Sequence, residues 1–369
     1  MKNTNQQIKH HLNNDQHTYL DRLSVTSLIN NNLMSFFQDY RRRALKLDKN
    51  SAEIWTDMQT VALAGGKRLR PYLLLLAYQA YNGSSVNDIL PISLAYEILH
   101  ISLLIHDDII DRDTYRHGQL NLTGIKQQVY DHLRPNVNNL HLANSAALLG
   151  GDLLFSAANS IVLESNLNTD SKLLVLRELN EALFTVGIGE LMDMEASILP
   201  FSDTSTLDII NLKTAYYSFV SPLKCGGLLA GADSLEIQKL VEIAFLIGKA
   251  FQLVDDYLGV YGDVSITGKS NSSDIRERKH TYLIEQAIIN ATKSQKQQIN
   301  KILGNPSIDE PMINSARAII DETGAKEDLI TLVKHLVDEI LIKLSILKID
   351  LTAKQQFKDV IISSTIDLI

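Results

Sequence analysis

Two short acidic runs carry the residues best suited to chemistry. They are His106-Asp107-Asp108-Ile109-Ile110-Asp111 and Val254-Asp255-Asp256-Tyr257-Leu258-Gly259, and each closes an apolar stretch. In a helix, residues four apart share a face, so Asp107 and Asp111 stand one above the other. Unpaired, they repel by roughly a few tenths of a kcal/mol. A divalent cation relieves that repulsion. Hard carboxylate oxygens suit Mg2+, which keeps several waters and is shared between one or two carboxylates and substrate phosphates. Taken alone, each run reads equally well as an acidic helix end facing solvent. Together they favour a two-walled magnesium–phosphate site, with Asp255 and Asp256 as the second wall.

A phosphate ligand needs cations, and the chain offers them at the right places. Gly65-Gly66-Lys67-Arg68-Leu69-Arg70-Pro71 sets three cations after a flexible glycine pair. The glycines let backbone approach closely, and Lys67 and Arg70 share a side if the turn becomes helical. The Gly-x4-Gly-Lys-Ser/Thr spacing of a nucleotide-binding P-loop is absent. A solvated basic turn is the plainer alternative. Arg112, Arg116 and His117 follow the first acidic run, and Lys269 and Arg276-Glu277-Arg278-Lys279 follow the second.

Helices must position these groups. Leu73, Leu76, Ala77 and Ala80 fall on one helical stripe, as do Leu94, Ile98, Ile101 and Ile105, and Leu329, Leu332, Leu336 and Ile340. Only 7 Pro and 18 Gly occur in 369 residues, which favours long uninterrupted helices. The pattern predicts a polar, poorly ordered tail over residues 1–21 and a single all-α domain over 22–369. Pro222 should end or kink the helix that starts near Thr204. With 35 Lys+Arg against 43 Asp+Glu the net charge is −8, which argues against a nucleic-acid partner. The single cysteine, Cys225, cannot form an internal disulfide, so a cytoplasmic setting is expected. Apolar runs such as Tyr72 to Tyr78 fall short of the roughly 18–20 residues of a membrane span, and residues 1–20 lack a signal-peptide core.

The ordered set of motifs resembles the trans-prenyl diphosphate synthases, the polyprenyl synthetase family, and most of all its geranylgeranyl diphosphate synthases. The set runs Gly65 to Pro71, Glu97-x-x-His100, Asp107-Asp108-x-x-Asp111, Arg116-His117-Gly118, Gly151-Asp152, Lys213-Thr214-Ala215, Phe251-Gln252-x-x-Asp255-Asp256, then Thr267-Gly268-Lys269 with Asp274. The resemblance implies an isoprenoid synthase-type helical bundle around a deep central cavity, usually a homodimer. It implies head-to-tail joining of isopentenyl diphosphate to an allylic diphosphate with release of diphosphate. Asp107, Asp111 and Asp255 match ligands to three Mg2+ ions, with Asp108 and Asp256 supporting through water. Arg116, Lys213 and Lys269 match the grip on the allylic diphosphate. Lys67, Arg70 and His100 match the isopentenyl diphosphate site, and Thr214 and Gln252 line the reacting carbons.

Two departures stand out. Gly259 replaces a common third Asp, which implies weaker support of the second wall unless Asp263 compensates. His117 replaces a common Arg of the isopentenyl diphosphate site, which implies weaker, more pH-sensitive binding. Ser102 and Leu103, with Leu99 one turn deeper, match the floor of the product cavity; with no aromatic there, the product is expected to be C20 or longer, C20 favoured. Competing readings are a terpene cyclase or non-catalytic partner subunit on the same fold, a metal phosphohydrolase built on His106-Asp107, and a ferritin-like di-iron oxidoreductase built on Glu97-x-x-His100 and Glu277-x-x-His280.

Overall fold

The computed structural model describes residues 19–116, 118–199, 205–262, 272–305 and 307–365. The architecture is all-α. The helices are α1 (Arg22–Ala44), α2 (Glu53–Leu63), α3 (Leu69–Ala80), α4 (Val86–Ile110), α5 (Leu122–Leu133), α6 (Leu140–Glu164), α7 (Thr169–Ala196) and α8 (Thr206–Ile209). A π-helix (Ile210–Val220) runs directly into α9 (Ser221–Leu229). Then come α10 (Ser234–Tyr261), α11 (Ser273–Glu277), α12 (Tyr282–Asn290), α13 (Lys293–Ile302), α14 (Glu310–Glu322), α15 (Ala325–Ser345) and α16 (Leu351–Ser364). Two-residue strands β1 (Tyr115–Arg116) and β2 (Gln119–Leu120) pair antiparallel just after the first acidic run.

Side-chain caps start most of these helices. Asp21, Asn121, Asn168, Asp233, Asp309 and Asp350 each accept from a backbone N–H of the first turn, and Thr292 with Gln295 forms a reciprocal capping box. Each such cap is worth about 1 kcal/mol. The apolar stripes read from the sequence converge on one contiguous core that includes Leu73, Leu76, Ile98, Ile101, Ile105, Leu329 and Ile340. The end of the polar N-terminal segment is docked rather than loose: Tyr19 donates to Asp350 at 2.8 Å and the Leu20 N–H to Gln79 at 3.3 Å. Residues 1–18 lie outside the described residues.

Two expectations need correction. Of the two outcomes expected at Pro222, an ending is excluded: the residue sits in the first turn of α9, where π register gives way to α, and the chain stays helical from Thr206 to Leu229. Proline cannot donate to the carbonyl four residues back and clashes with it; the wider π register upstream accommodates that loss. Second, α4 and α6 are each 25 residues long and apolar enough, by length and composition, to cross a bilayer. Counting unbroken apolar runs misses helices whose apolar character is interspersed with Ser, Asn and His. Helix α4 is mostly buried within the core, whereas α6 is not.

Candidate active site

Helix α4 ends in the first acidic run, and the β1–β2 hairpin folds straight back over it. Arg116 on β1 donates through Nε to Asp108 Oδ1 at 2.7 Å and through Nη2 to Asp107 Oδ2 at 2.9 Å. Asp108 is 2% exposed, and its second oxygen is buried without a partner. Burial, opposed by Arg116, pushes its carboxyl up to about 6. Asp111 caps the helix and accepts from Lys279 at 3.4 Å. Burial works against the Lys279 ammonium, but Asp111, Glu277 and Asp274 outweigh it and raise its pKa.

Lys213, on the π-helix, sits among three carboxylates. It lies 2.6 Å from Asp193, 3.0 Å from Glu190 and 4.0 Å from Asp107. Burial alone would lower its pKa; Asp193, Glu190 and Asp107 together raise it. The next residue, Thr214, reaches the opposite wall. Its hydroxyl donates to Gln252 Oε1 at 2.8 Å, and Gln252 Nε2 donates to Asp256 Oδ1 at 3.0 Å. Asp256 is buried, accepts from the Tyr282 N–H at 3.1 Å, and is held well above the usual carboxylate range by burial, with Asp274 and Asp255 adding to it. Asp255, its neighbour on α10, is exposed. Consecutive residues of one element therefore reach both acidic walls, Lys213 directly and Thr214 through Gln252.

A second basic group lies where α3 begins. Gly66 has φ +117° and Arg68 φ +46°, so the chain turns through the left-handed region before entering the helix. Arg68 is the staple of this turn: it donates to Glu97 at 2.7 Å, to the Ala62 carbonyl at 2.6 Å and to Asn30 at 2.9 Å. Arg70 points elsewhere, donating to Ser218 at 2.6 Å with its guanidinium 4.4 Å above the Tyr217 ring. Lys67 is exposed. His100 faces the same Tyr217 ring, 6.1 Å between centroids, and burial with the Arg70, Arg116 and Arg68 charges drives its pKa well down. Arg70 Nε and His100 Nδ1 are buried without partners.

The structure thus gathers Asp107, Asp108, Asp111, Arg116, Lys213, Thr214, Gln252 and Asp256, with Arg70 and His100 as a second group sharing the π-helix. The positions matched to the product floor are less uniform. Leu99 is buried in the core and Leu103 is half-buried, but the Ser102 hydroxyl donates to the Gly151 carbonyl of α6 at 2.9 Å. Lys269, His117 and Asp263 lie outside the described residues. Sequence reasoning passed over Glu190 and Asp193, although acids three apart on a helix share a face, and over Tyr217 and Ser218. It read Gly259 only as the loss of a supporting Asp. The Asp274 carboxylate lies so close to Gly259 that a side chain there would overlap it.

Hard-oxygen donors with cationic neighbours fit a divalent cation that brings waters and phosphate oxygens with it. Among the described residues no group of three or more acidic, His or Cys side chains forms a preformed cage. The buried, unpartnered Asp108 oxygen is the kind of atom such a hydrated ion satisfies. The two Glu-x-x-His pairs do not act as iron ligands here: Glu97 is tied to Arg68, and Glu277 lies 3.2 Å from Lys279.

An all-α bundle with paired acidic walls and interposed cations is the fold of isoprenoid synthases. Comparison with known proteins agrees. Residues 52–320 match the family model for polyprenyl synthetase. A short chain isoprenyl diphosphate synthase of Methanocaldococcus jannaschii is 32% identical over 275 residues, covering 74% of this chain and 78% of that one. A geranylgeranyl diphosphate synthase of Sulfolobus acidocaldarius is 30% identical over 260 residues, 70% of this chain and 73% of that one. The solved geranylgeranyl pyrophosphate synthase from Corynebacterium glutamicum, complexed with isoprenyl diphosphate and magnesium, aligns with a TM-score of 0.88 at 26% identity, covering 94% of this chain and 99% of that one. The chain belongs to the polyprenyl synthetase family. It is an enzyme, a prenyltransferase of the trans-prenyl diphosphate synthase type, and the family works with a divalent metal.

Proposed function

We propose that this protein condenses isopentenyl diphosphate with an allylic diphosphate head to tail, and that its product is C20 or longer, geranylgeranyl diphosphate being favoured. The observation that carries the reading is the reach of Lys213 and Thr214 to both acidic walls. A diphosphate laid against Lys213 meets Asp107 and Asp111 on one side and Asp255 on the other. Those three carboxylates would hold three Mg2+ ions, which supply charge neutralisation for the leaving diphosphate.

The chain's own residues do the rest. Arg116 and Lys213, parked on carboxylates in the ligand-free protein, exchange them for phosphate oxygens, joined by Lys269. As the allylic C–O bond breaks, its electron pair leaves with the diphosphate, and these fixed cations meet that charge where it develops. Lys67, Arg70, His100 and His117 hold isopentenyl diphosphate; the unpartnered Arg70 Nε and His100 Nδ1 suit its oxygens. Its alkene electrons form the new C–C bond, and the departing diphosphate accepts the proton then lost. Thr214 and Gln252 flank the reacting carbons, and the apolar helices exclude water that would quench the cation. A terpene cyclase would leave the Arg70 and His100 group without a ligand.

Leu99, Leu103 and Ser102 set the depth of the product cavity in this reading. Leu103→Phe tests it with less disturbance than Ser102→Phe, which would break the hydrogen bond to α6. The single all-α domain over 22–369, a cytoplasmic location and a homodimer belong to the same proposal. The dimer is supported by the apolar surface of α6 and α7, where Leu148, Leu149, Leu153, Phe184 and Leu191 are each at least 42% exposed. Exposed apolar side chains gathered on one surface mark protein–protein contact sites.

Incubation with labelled isopentenyl diphosphate, Mg2+ and C5, C10 or C15 primers, followed by product sizing, tests the activity. Elongation to C20 or beyond is expected. Hydrolysis or cyclisation of the primer without elongation would sink the proposal.

A further inference from the structure

Resting on that reading, one element deserves closer inspection: the π-helix between α8 and α9. In an α-helix, residues 213 and 218 would diverge by about 140° around the axis. The i→i+5 register of a π-helix brings such residues back to nearly the same face, one turn apart. Lys213 and Ser218 are related in this way, and both are engaged. Lys213 sits at the first acidic wall, while Ser218 accepts from Arg70 at 2.6 Å and Tyr217 lies beneath the same guanidinium.

The register is also held from outside. Gly189 of α7 packs against the backbone of Leu212 and Lys213, and Gly248 of α10 packs against Ala215; a side chain at either glycine would overlap the π-helix. Pro222 follows at the start of α9 and cannot donate to the Ser218 carbonyl, which disfavours α register just upstream. Two helices and a proline thus fix a backbone geometry that is rare except as short bulges at functional sites.

We propose that the π register of Ile210–Val220 is the positioning device shared by both diphosphate sites: it presents Lys213 to the allylic diphosphate directly, and it sets Arg70 for isopentenyl diphosphate through Ser218 and Tyr217. Ser218 and Tyr217 are positioning residues, acting through Arg70. Gly189 and Gly248 position the whole element.

Steady-state kinetics with both substrates varied, and calorimetric binding of isopentenyl diphosphate, test this. Ser218→Ala is expected to raise the KM and Kd for isopentenyl diphosphate about tenfold, the scale of one lost hydrogen bond to a charged group. The KM for the allylic primer and kcat should stay within about twofold, and Ser218→Thr, which keeps the hydroxyl, should restore binding. Gly248→Ala is expected to raise both KM values, and adding Ala215→Gly, which removes an overlapping methyl, should recover part of the loss. The proposal fails if Ser218→Ala leaves isopentenyl diphosphate binding unchanged or weakens both substrates equally, or if folded Gly248→Ala affects one substrate alone. Should Gly248→Ala not fold, the Ser218 pair decides. An inactive wild type would sink the prenyl-transfer reading itself, whereas active wild type with an unmoved Ser218→Ala would sink only this inference.

Discussion

The two acidic walls are built on different principles. On α4, the chain supplies its own counter-charges: Arg116 bridges Asp107 and Asp108, and Lys279 meets Asp111. On α10, the inner acid, Asp256, pairs with no cation among the described residues and is held by an amide, a backbone N–H and a hydrogen-bond chain to Thr214. The first wall is a charged site pre-loaded with cations that a diphosphate can take over. The second is a neutral-leaning scaffold that aims one exposed carboxylate, Asp255. In the proposed site, losing a charge from the first wall would remove a ligand, whereas in the second most changes would act through packing.

The largest effect should come where the two walls are alike. Asp107→Ala and Asp255→Ala are each expected to cut kcat by a thousandfold or more, on the order of 4 kcal/mol of transition-state stabilisation. Circular dichroism should show nearly unchanged helix, because neither carboxylate is a core group. A loss below tenfold in Asp255→Ala would break the symmetry and leave α4 as the only working wall.

Next in size is Gly259→Asp, which restores the commoner residue of the family. The packing of Asp274 against Gly259 reverses the expectation drawn from the sequence. An inserted side chain must displace a carboxylate held beside buried Asp256, so destabilisation of about 1–3 kcal/mol is expected, together with lower activity. Gly259→Asp combined with Asp274→Gly should recover much of the stability in a thermal melt. If Gly259→Asp alone is neutral and raises activity, the second wall lacks the support that a third Asp provides elsewhere.

That reversal shows what could be read from the chain and what could not. The acidic walls, Arg116 and the all-α pattern were legible because each has a local signature: a spacing, a stripe, a residue type in an unusual place; Lys213 was legible only through the family resemblance. Asp274 against Gly259 was not, since the two lie on different elements and only packing brings them together. The π register was hidden for a related reason. Lys213 through Phe219 has an ordinary helical composition, and only Gly189 and Gly248, remote in sequence, reveal how tightly it is held. Pro222 gave a signal, but it reads as a break unless the upstream register is known. Glu190 and Asp193 had the spacing of a shared helix face and lacked only a known target.

A smaller effect separates the walls by pH. Asp108 is pushed up to about 6 by burial in the folded, ligand-free protein, above the ordinary carboxylate value of about 3.9 in an unfolded chain. The fold therefore retains this proton longer than the unfolded state does, and folding stability from this group falls as pH rises from about 4 to 6. Asp108→Asn stays neutral throughout. Its stability relative to wild type should climb across that window by on the order of 2 kcal/mol and then level off, as measured by urea melts at each pH without ligand. A difference that stays flat from pH 4 to 7 would mean that Arg116, rather than burial, governs the first wall.

The smallest expected change concerns His117, between Arg116 and Gly118. A neutral imidazole offers one N–H where a guanidinium offers a charged fork, so the isopentenyl diphosphate grip should weaken as pH rises through the ordinary histidine range near about 6.5. His117→Arg keeps its charge throughout that range. It is expected to lower the KM for isopentenyl diphosphate by about threefold at pH 8, the scale of a single ionic contact, with a smaller change at pH 6, where an imidazole gains charge. Arg116, which pairs with Asp107 and Asp108 in the ligand-free protein, is unchanged in either variant, so the allylic KM should not move. A parallel shift in both substrates would instead tie His117 to the first wall through the hairpin, and an unaltered pH profile would remove it from substrate binding altogether.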